Sequence, residues 1–127
     1  MNLAELFRHE TDLVTVAAGQ PIFRSGDAAT VMYVLMQGNV EVLVGDVVVE
    51  TAVTGALLGE MAMIDHAERN ATVIARDECR LLPIDIRRFD FLIQQTPYFA
   101  RHVMKVMADR LRRMDSMFLE IQSGRKT

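Results

Sequence analysis

The segment Val42-Leu43-Val44-Gly45-Asp46-Val47-Val48-Val49 decides the fold class. β-Branched residues on both sides of a Gly-Asp pair form a β-hairpin with a two-residue turn. Glycine tolerates the positive φ such a turn needs, and valine packs well on a pleated strand. Runs of the same kind recur on either side, at 13–16, 21–23, 31–36, 39–44, 46–51, 71–75 and 80–86. Gly19, Ser25-Gly26-Asp27, Gln37-Gly38, Gly45 and Gly55 punctuate the earlier ones. Short strands with close turn signals predict an all-β sandwich or barrel rather than alternating β/α units.

The ends of the chain change period. Residues 2–9 predict a short amphipathic helix with Leu3, Leu6 and Phe7 on one face. After residue 86 the spacing becomes helical again: Asp85 is placed to cap a helix over 87–95 that carries Phe89, Leu92 and Ile93 on one side. Thr96-Pro97 opens a last helix, since proline at the first turn gives up an N–H that has no partner there. That helix is expected to end near Gln122, at Ser123-Gly124. Its apolar seam is Met104, Met107, Leu111, Met114, Phe118 and Ile121, spaced 3, 4, 3, 4, 3 as in a heptad. Two readings stand for this stripe. It packs on the chain's own barrel, or a second line (Phe99, Val103, Val106) does so and leaves the seam over 98–121 for a partner helix, in a parallel homodimer.

The whole chain, 1–127, is long enough for one domain with a core and too short for two. The expected division is a roll over about 13–86 followed by helices over about 87–122. A composition of 50% hydrophobic and 24% charged residues is that of a soluble globular protein, and no apolar run approaches a membrane span. The N-terminal stretch lacks a signal peptide's apolar run, so a cytoplasmic protein with no membrane partner is expected. Cys79 is the single cysteine and reads as a buried thiol. Charge is uneven: residues 1–100 carry 7 basic and 14 acidic side chains, whereas 101–127 carry 7 basic and 3 acidic ones. No aromatic residue interleaves the late arginines and no second helix follows as a reading head, so no nucleic-acid role is expected.

The chemistry concentrates in Leu58-Gly59-Glu60-Met61-Ala62-Met63-Ile64-Asp65-His66-Ala67-Glu68-Arg69-Asn70-Ala71-Thr72. Gly59 lets backbone approach a ligand closely, and 61–64 predicts one helical turn whose first N–H groups point at an anion. Arg69 supplies a planar fork of donors that stays ionised. Glu60 accepts from a hydroxyl and repels a bare phosphate. Together they suit a small anion that also carries hydroxyls, such as a sugar phosphate. A surface loop with a Glu–Arg ion pair explains the same residues and contributes little. No nucleophile or general base accompanies the segment, so binding rather than catalysis is expected, with no cofactor and no metal.

Gly59-Glu60-Met61-Ala62 followed by Arg69-Asn70-Ala71-Thr72 resembles the phosphate-binding cassette of the cyclic nucleotide-binding domain family, which includes bacterial catabolite activators, kinase regulatory subunits and gated channels. Residues 18–27 resemble that family's first strands, and Met32-Tyr33-Val34-Leu35-Met36-Gln37-Gly38-Asn39-Val40-Glu41-Val42 its central hairpin. The resemblance covers about residues 5 to 120. It implies a mainly β fold: an eight-stranded, jelly-roll-like β-roll with one N-terminal helix and two C-terminal helices. It also implies that Gly59 and Glu60 hold the ribose 2′-hydroxyl, that Arg69 holds the phosphate, and that the N–H groups of Ala62, Asn70 and Ala71 complete the cradle. Asn70 stands where the family often has alanine, serine or threonine, and Glu68 where proline often precedes the arginine. Met114 and Asp115 fall where the family caps the base. Asp115 there accepts from an adenine 6-amino group, which favours cAMP over cGMP, or simply faces solvent.

Members that act on DNA continue into a helix-turn-helix. The expectation is therefore a stand-alone module or an excised domain, a sensor reporting through its last helix to an unknown downstream protein. The alternatives are a ligand-free dimerisation or adaptor domain of the same fold, and a metal-dependent cupin-type barrel. The second needs clustered ligands, whereas His9, His66 and His102 are scattered.

Overall fold

The computed structural model describes residues 2–65 and 67–125, of Arg125 only the backbone. His66 and the chain end at Thr127 lie outside the described residues. The chain divides into two compact units, 1–91 and 92–127.

The first unit opens with α1 (Leu3–Leu6), capped by the Asn2 side chain, which accepts from the Glu5 N–H. Eight strands follow: β1 (Val14–Val16), β2 (Pro21–Phe23), β3 (Met32–Gln37), β4 (Asn39–Val44), β5 (Val47–Val53), β6 (Leu57–Leu58), β7 (Thr72–Ala75) and β8 (Cys79–Ile84). Between β6 and β7 lies a single helical turn, α2 (Ala62–Asp65). The strands form two four-stranded antiparallel sheets, ordered β1-β8-β3-β6 and β2-β7-β4-β5. Leu35, Leu58, Cys79 and Leu81 of the first sheet and Val40, Ala52, Val73 and Ala75 of the second bury one shared core. That two-layer burial, driven by apolar area removed from water, makes this a β-roll. The register Met32↔Ile84 and Val34↔Leu82 sets four more buried residues on the other face of the first sheet; α1 packs against β3, and Leu3 and Phe7 are buried.

The expected hairpin is present: Val44 pairs with Val47 across Gly45-Asp46, and Gly45 has φ +61°. The expected central hairpin over 32–42 is not one. β3 and β4 lie in different sheets, and Gly38, at φ +107°, turns the chain from one layer into the other. Gly followed by a new β-branched run looks the same locally in both cases; only the long-range partners differ. α1 is also shorter than the expected 2–9, and Leu6 is exposed while Leu3 and Phe7 are buried, because a single turn cannot present three residues to one surface. Leu57–Leu58 had no recognisable period and was the unexpected strand.

Cys79 is buried between the sheets, where its thiol donates to the Asn39 and Asp77 carbonyls, and burial pushes it up from its ordinary pKa. A protonated thiol is a poor nucleophile. We expect native Cys79 to react with a thiol reagent at pH 7.5 about a hundredfold or more slower than in urea; equal rates would contradict its burial.

The second unit begins within α3 (Ile86–Gln95), whose start is fixed by the Asp85 carboxylate accepting the Arg88 N–H at 2.9 Å, as the sequence predicts. α4 (Pro97–Arg125) runs past the expected stop, through Ser123-Gly124. A glycine in an exposed last turn costs only about 1 kcal/mol relative to alanine, too little by itself to end a helix. Phe99 and Val103 are buried, while Met104, Leu111, Met114, Phe118 and Ile121 are each 55–64% exposed.

Candidate functional site

Arg69 is the centre of the cassette. It is 8% exposed and Glu60 only 4%, the two buried charged side chains among the described residues. Burying a guanidinium is costly unless it is hydrogen-bonded and electrostatically matched. Its Nη1 donates to the Gly59 carbonyl at 3.2 Å and its Nη2 to the Val31 carbonyl at 2.5 Å. Its face lies 4.1 Å above the Phe23 ring, which itself stacks on Tyr33. Burial lowers the Arg69 pKa, opposed by Tyr33, Asp27 and Glu60; arginine nevertheless remains protonated at neutral pH. One need is unmet: Nε is buried with no acceptor among the described residues.

The arginine's backbone is held as firmly as its side chain. Its N–H donates to the Asp27 carbonyl and its carbonyl accepts the Gly26 N–H, both at 2.8 Å. Thr72 Oγ1 accepts the Ser25 N–H at 3.0 Å, and Asp27 closes its own loop by accepting the Arg24 N–H. Residues 24–31 thus bracket Arg69 on two sides. No side-chain pattern signals this grip, because most of the contacts are made by backbone groups, which any residue carries. Ser25-Gly26-Asp27 was visible only as a turn.

Gly59 sits at φ +72°, and a Cβ there would clash with Arg69 Nη1 and come within 3.2 Å of Phe23. The glycine is required twice over, by backbone conformation and by the arginine's approach. Gly59→Ala is expected to cost about 1–2 kcal/mol of stability, read as a shifted urea midpoint with unchanged slope, because the buried guanidinium must shift to make room.

Of the N–H groups expected to form the cradle, that of Ala62 is engaged within the turn. The Ala62, Met63 and Ile64 N–H groups donate to Gly59, Glu60 and Met61 carbonyls within the turn, so the first donors of α2 are already used. In a four-residue helix the i→i+3 bonds consume what a longer helix leaves free. By contrast, no hydrogen bond joins the N–H of Asn70 or Ala71 to another described residue. Thr72 is committed to the 24–31 loop. Glu68 and Asn70 are exposed, and Met61 is half exposed on α2. Met114 and Asp115 are exposed on α4, in the second unit.

A surface hollow of about 440 Å³ lies elsewhere, lined by Asn39, Thr51, Ala52, Val53, Arg76 and Asp77. The register Leu43↔Thr72 and Val40↔Ala75 puts it at the opposite end of β4 and β7 from the cassette. Asp77 there accepts from both the backbone and the side chain of Asn39, which holds its carboxyl below the usual range. Its polar groups are turned on one another, and we assign the chemistry to Arg69 instead. Among the described residues no three metal-ligating side chains gather, and no helix is long and apolar enough to cross a membrane.

Residues 13–96 match the family model for the cyclic nucleotide-binding domain. The chain is 31% identical over 102 residues to the cyclic AMP receptor protein of Thermus thermophilus, covering 76% of this chain and 47% of that one. It is 35% identical over 95 residues to a cyclic nucleotide-gated potassium channel of Rhizobium etli, covering 75% of this chain and 26% of the channel. It is 34% identical over 110 residues to a cAMP-dependent protein kinase regulatory subunit of Blastocladiella emersonii, covering 83% and 25%. This chain therefore spans half or less of each of these relatives. The crystal structure of the Thermus thermophilus catabolite activator protein superposes with a TM-score of 0.76 at 26% identity, over 93% of this chain and 62% of that one. With the buried arginine, the left-handed glycine and the eight-stranded roll, these matches make the chain a member of the cyclic nucleotide-binding domain family.

Proposed function

We propose that residues 1–127 work as one cyclic nucleotide-binding regulatory domain that senses cAMP in preference to cGMP and catalyses no reaction. The observation that carries this reading is the orphaned Nε of buried Arg69. An ionised donor shut away from water without an acceptor is costly, and an anion entering the cassette supplies that acceptor. In the bound state Arg69 holds the cyclic phosphate and the N–H groups of Asn70 and Ala71 take its remaining oxygens. Gly59 and Glu60 hold the ribose 2′-hydroxyl, and Met61, Ala62 and Thr72 shape the cassette around it.

Met114 covers the purine face and Asp115 accepts from an adenine 6-amino group, which favours cAMP. Similarity to the cyclic AMP receptor protein of Thermus and to the cAMP-dependent kinase regulatory subunit supports the same nucleotide. Ligand repositions α4, and the signal passes to a cytoplasmic protein partner not yet identified. Neither nucleic acid nor membrane is a partner of this domain. A second copy joins through the 98–121 helix.

Thermal melts test this reading. Saturating cAMP should raise Tm, a ligand at a hundred times its Kd adding about 2.7 kcal/mol, cGMP less and 5′-AMP least. No shift with millimolar cAMP or cGMP overturns it. One observation favours the adaptor alternative: two of the Arg69 nitrogens are already engaged by carbonyls. That alternative predicts a dimer indifferent to either nucleotide.

A further inference from the structure

Resting on the reading that Arg69 holds the phosphate, we infer that Phe23 is a positioning residue: its ring, backed by Tyr33, fixes the tilt of the Arg69 guanidinium and so keeps Nε for the anion. Two carbonyls alone leave that tilt free. Nη1 donates to Gly59 and Nη2 to Val31, and a planar group held at two points still rolls about the line that joins them. The Phe23 ring, 4.1 Å from Arg69 Cζ, supplies the third point. A guanidinium drawn face-on to an aromatic ring cannot roll without losing that attraction, which strengthens where water is excluded. Arg69 is buried, so that condition is met.

An irregularity in the sheet brings the ring here. On β2, Pro21 pairs with Ile74 whereas Phe23 pairs with Val73, so two steps along β2 match one along β7. Side chains alternate along a strand, so without this bulge Phe23 would share the face of Pro21 and Ile74. With it, Phe23 stands opposite buried Val73 and packs, as Ile22 does, against the core between the sheets. A bulge beside a site re-aims a side chain in this way. Tyr33 meets the ring from the other sheet, with centroids 6.4 Å apart and planes 20° from parallel. Val31 lies two residues before Tyr33, and Tyr33 pairs with Leu58, the neighbour of Gly59. The ring's backing and both carbonyl acceptors thus belong to adjacent backbone.

A residue that merely filled the core would act through its volume. Fluorination separates the two roles, because it withdraws charge from the ring face and leaves its shape nearly unchanged. The full chain is made with mono-, di- and trifluorinated phenylalanine at position 23, and as Phe23→Leu, each with nitrogen-labelled arginine. In nucleotide-free protein, exchange between the Arg69 Nη1 and Nη2 resonances, identified by their absence in Arg69→Lys, reports rotation of the guanidinium. That exchange should quicken about tenfold from phenylalanine to the trifluorinated ring. Affinity for cAMP, by calorimetry, should fall by about the same factor, because fewer molecules present a competent guanidinium. Urea midpoints should move far less across the series than in Phe23→Leu, which removes volume. Flat exchange, or flat affinity in a chain that binds cAMP, would overturn the proposal and leave Phe23 as core filler. The exchange is read without nucleotide. A parent chain that shows the graded exchange and binds no cAMP therefore supports the positioning of Arg69 and overturns only its reading as the phosphate ligand.

Discussion

Arg69→Ala is expected to weaken cyclic nucleotide binding by about 30- to 1,000-fold, which is 2–4 kcal/mol, the scale of removing one partner of a buried charge pair. The guanidinium is buried over Phe23, held at Gly59 and Val31, and retains one donor with nowhere to go. Removing it also relieves the cost of a buried cation, so stability should change by less than affinity does, about 1 kcal/mol either way. Arg69→Lys separates charge from shape. It keeps the cation but not the planar fork, and should recover only part of the affinity. Affinity unchanged in Arg69→Ala would move the phosphate site away from the cassette.

The second large effect is on the fold. Gly38→Ala is expected to cost about 3 kcal/mol and lower Tm by on the order of 10 °C. Gly38 sits at φ +107°, and a Cβ there would lie 2.7 Å from Cys79 Sγ and 2.8 Å from the Glu78 carbonyl. Neither neighbour can give way, because Cys79 begins β8 and Glu78 precedes it in the backbone. The strain therefore falls on the corner that joins the two sheets. Urea unfolding with an unchanged slope and a midpoint near that of the parent would contradict this account of the corner.

Those two positions show what was legible before any coordinates. The 42–49 hairpin was, because β-branched residues around Gly-Asp leave few other conformations. Arg69 and Gly59 were, because the motif names them. The role of Gly38 was not, since a hairpin turn and a corner between sheets share the same local sequence and differ only in which distant strands pair. Nor was the loop 24–31, which grips Arg69 through the Asp27 and Val31 carbonyls and the Gly26 N–H, groups that carry no side-chain signal. The heptad of α4 could be read off the sequence, but not which of its residues are exposed: Phe99 and Val103 are buried, Met107 is half-buried, and the other five seam residues are exposed. Glu68, which stands where the family often has proline, is exposed. Two-residue β6 and single-turn α2 lay below the length at which hydrophobic periodicity can speak.

Titration calorimetry of the whole chain with cAMP, repeated with cGMP and with Arg69→Ala, tests the central claim most directly. The account predicts saturable heat with one nucleotide per chain, tighter for cAMP than for cGMP, and largely abolished by the substitution. Absence of saturable heat with either nucleotide at millimolar concentration, in protein freed of any carried-over ligand, would contradict it.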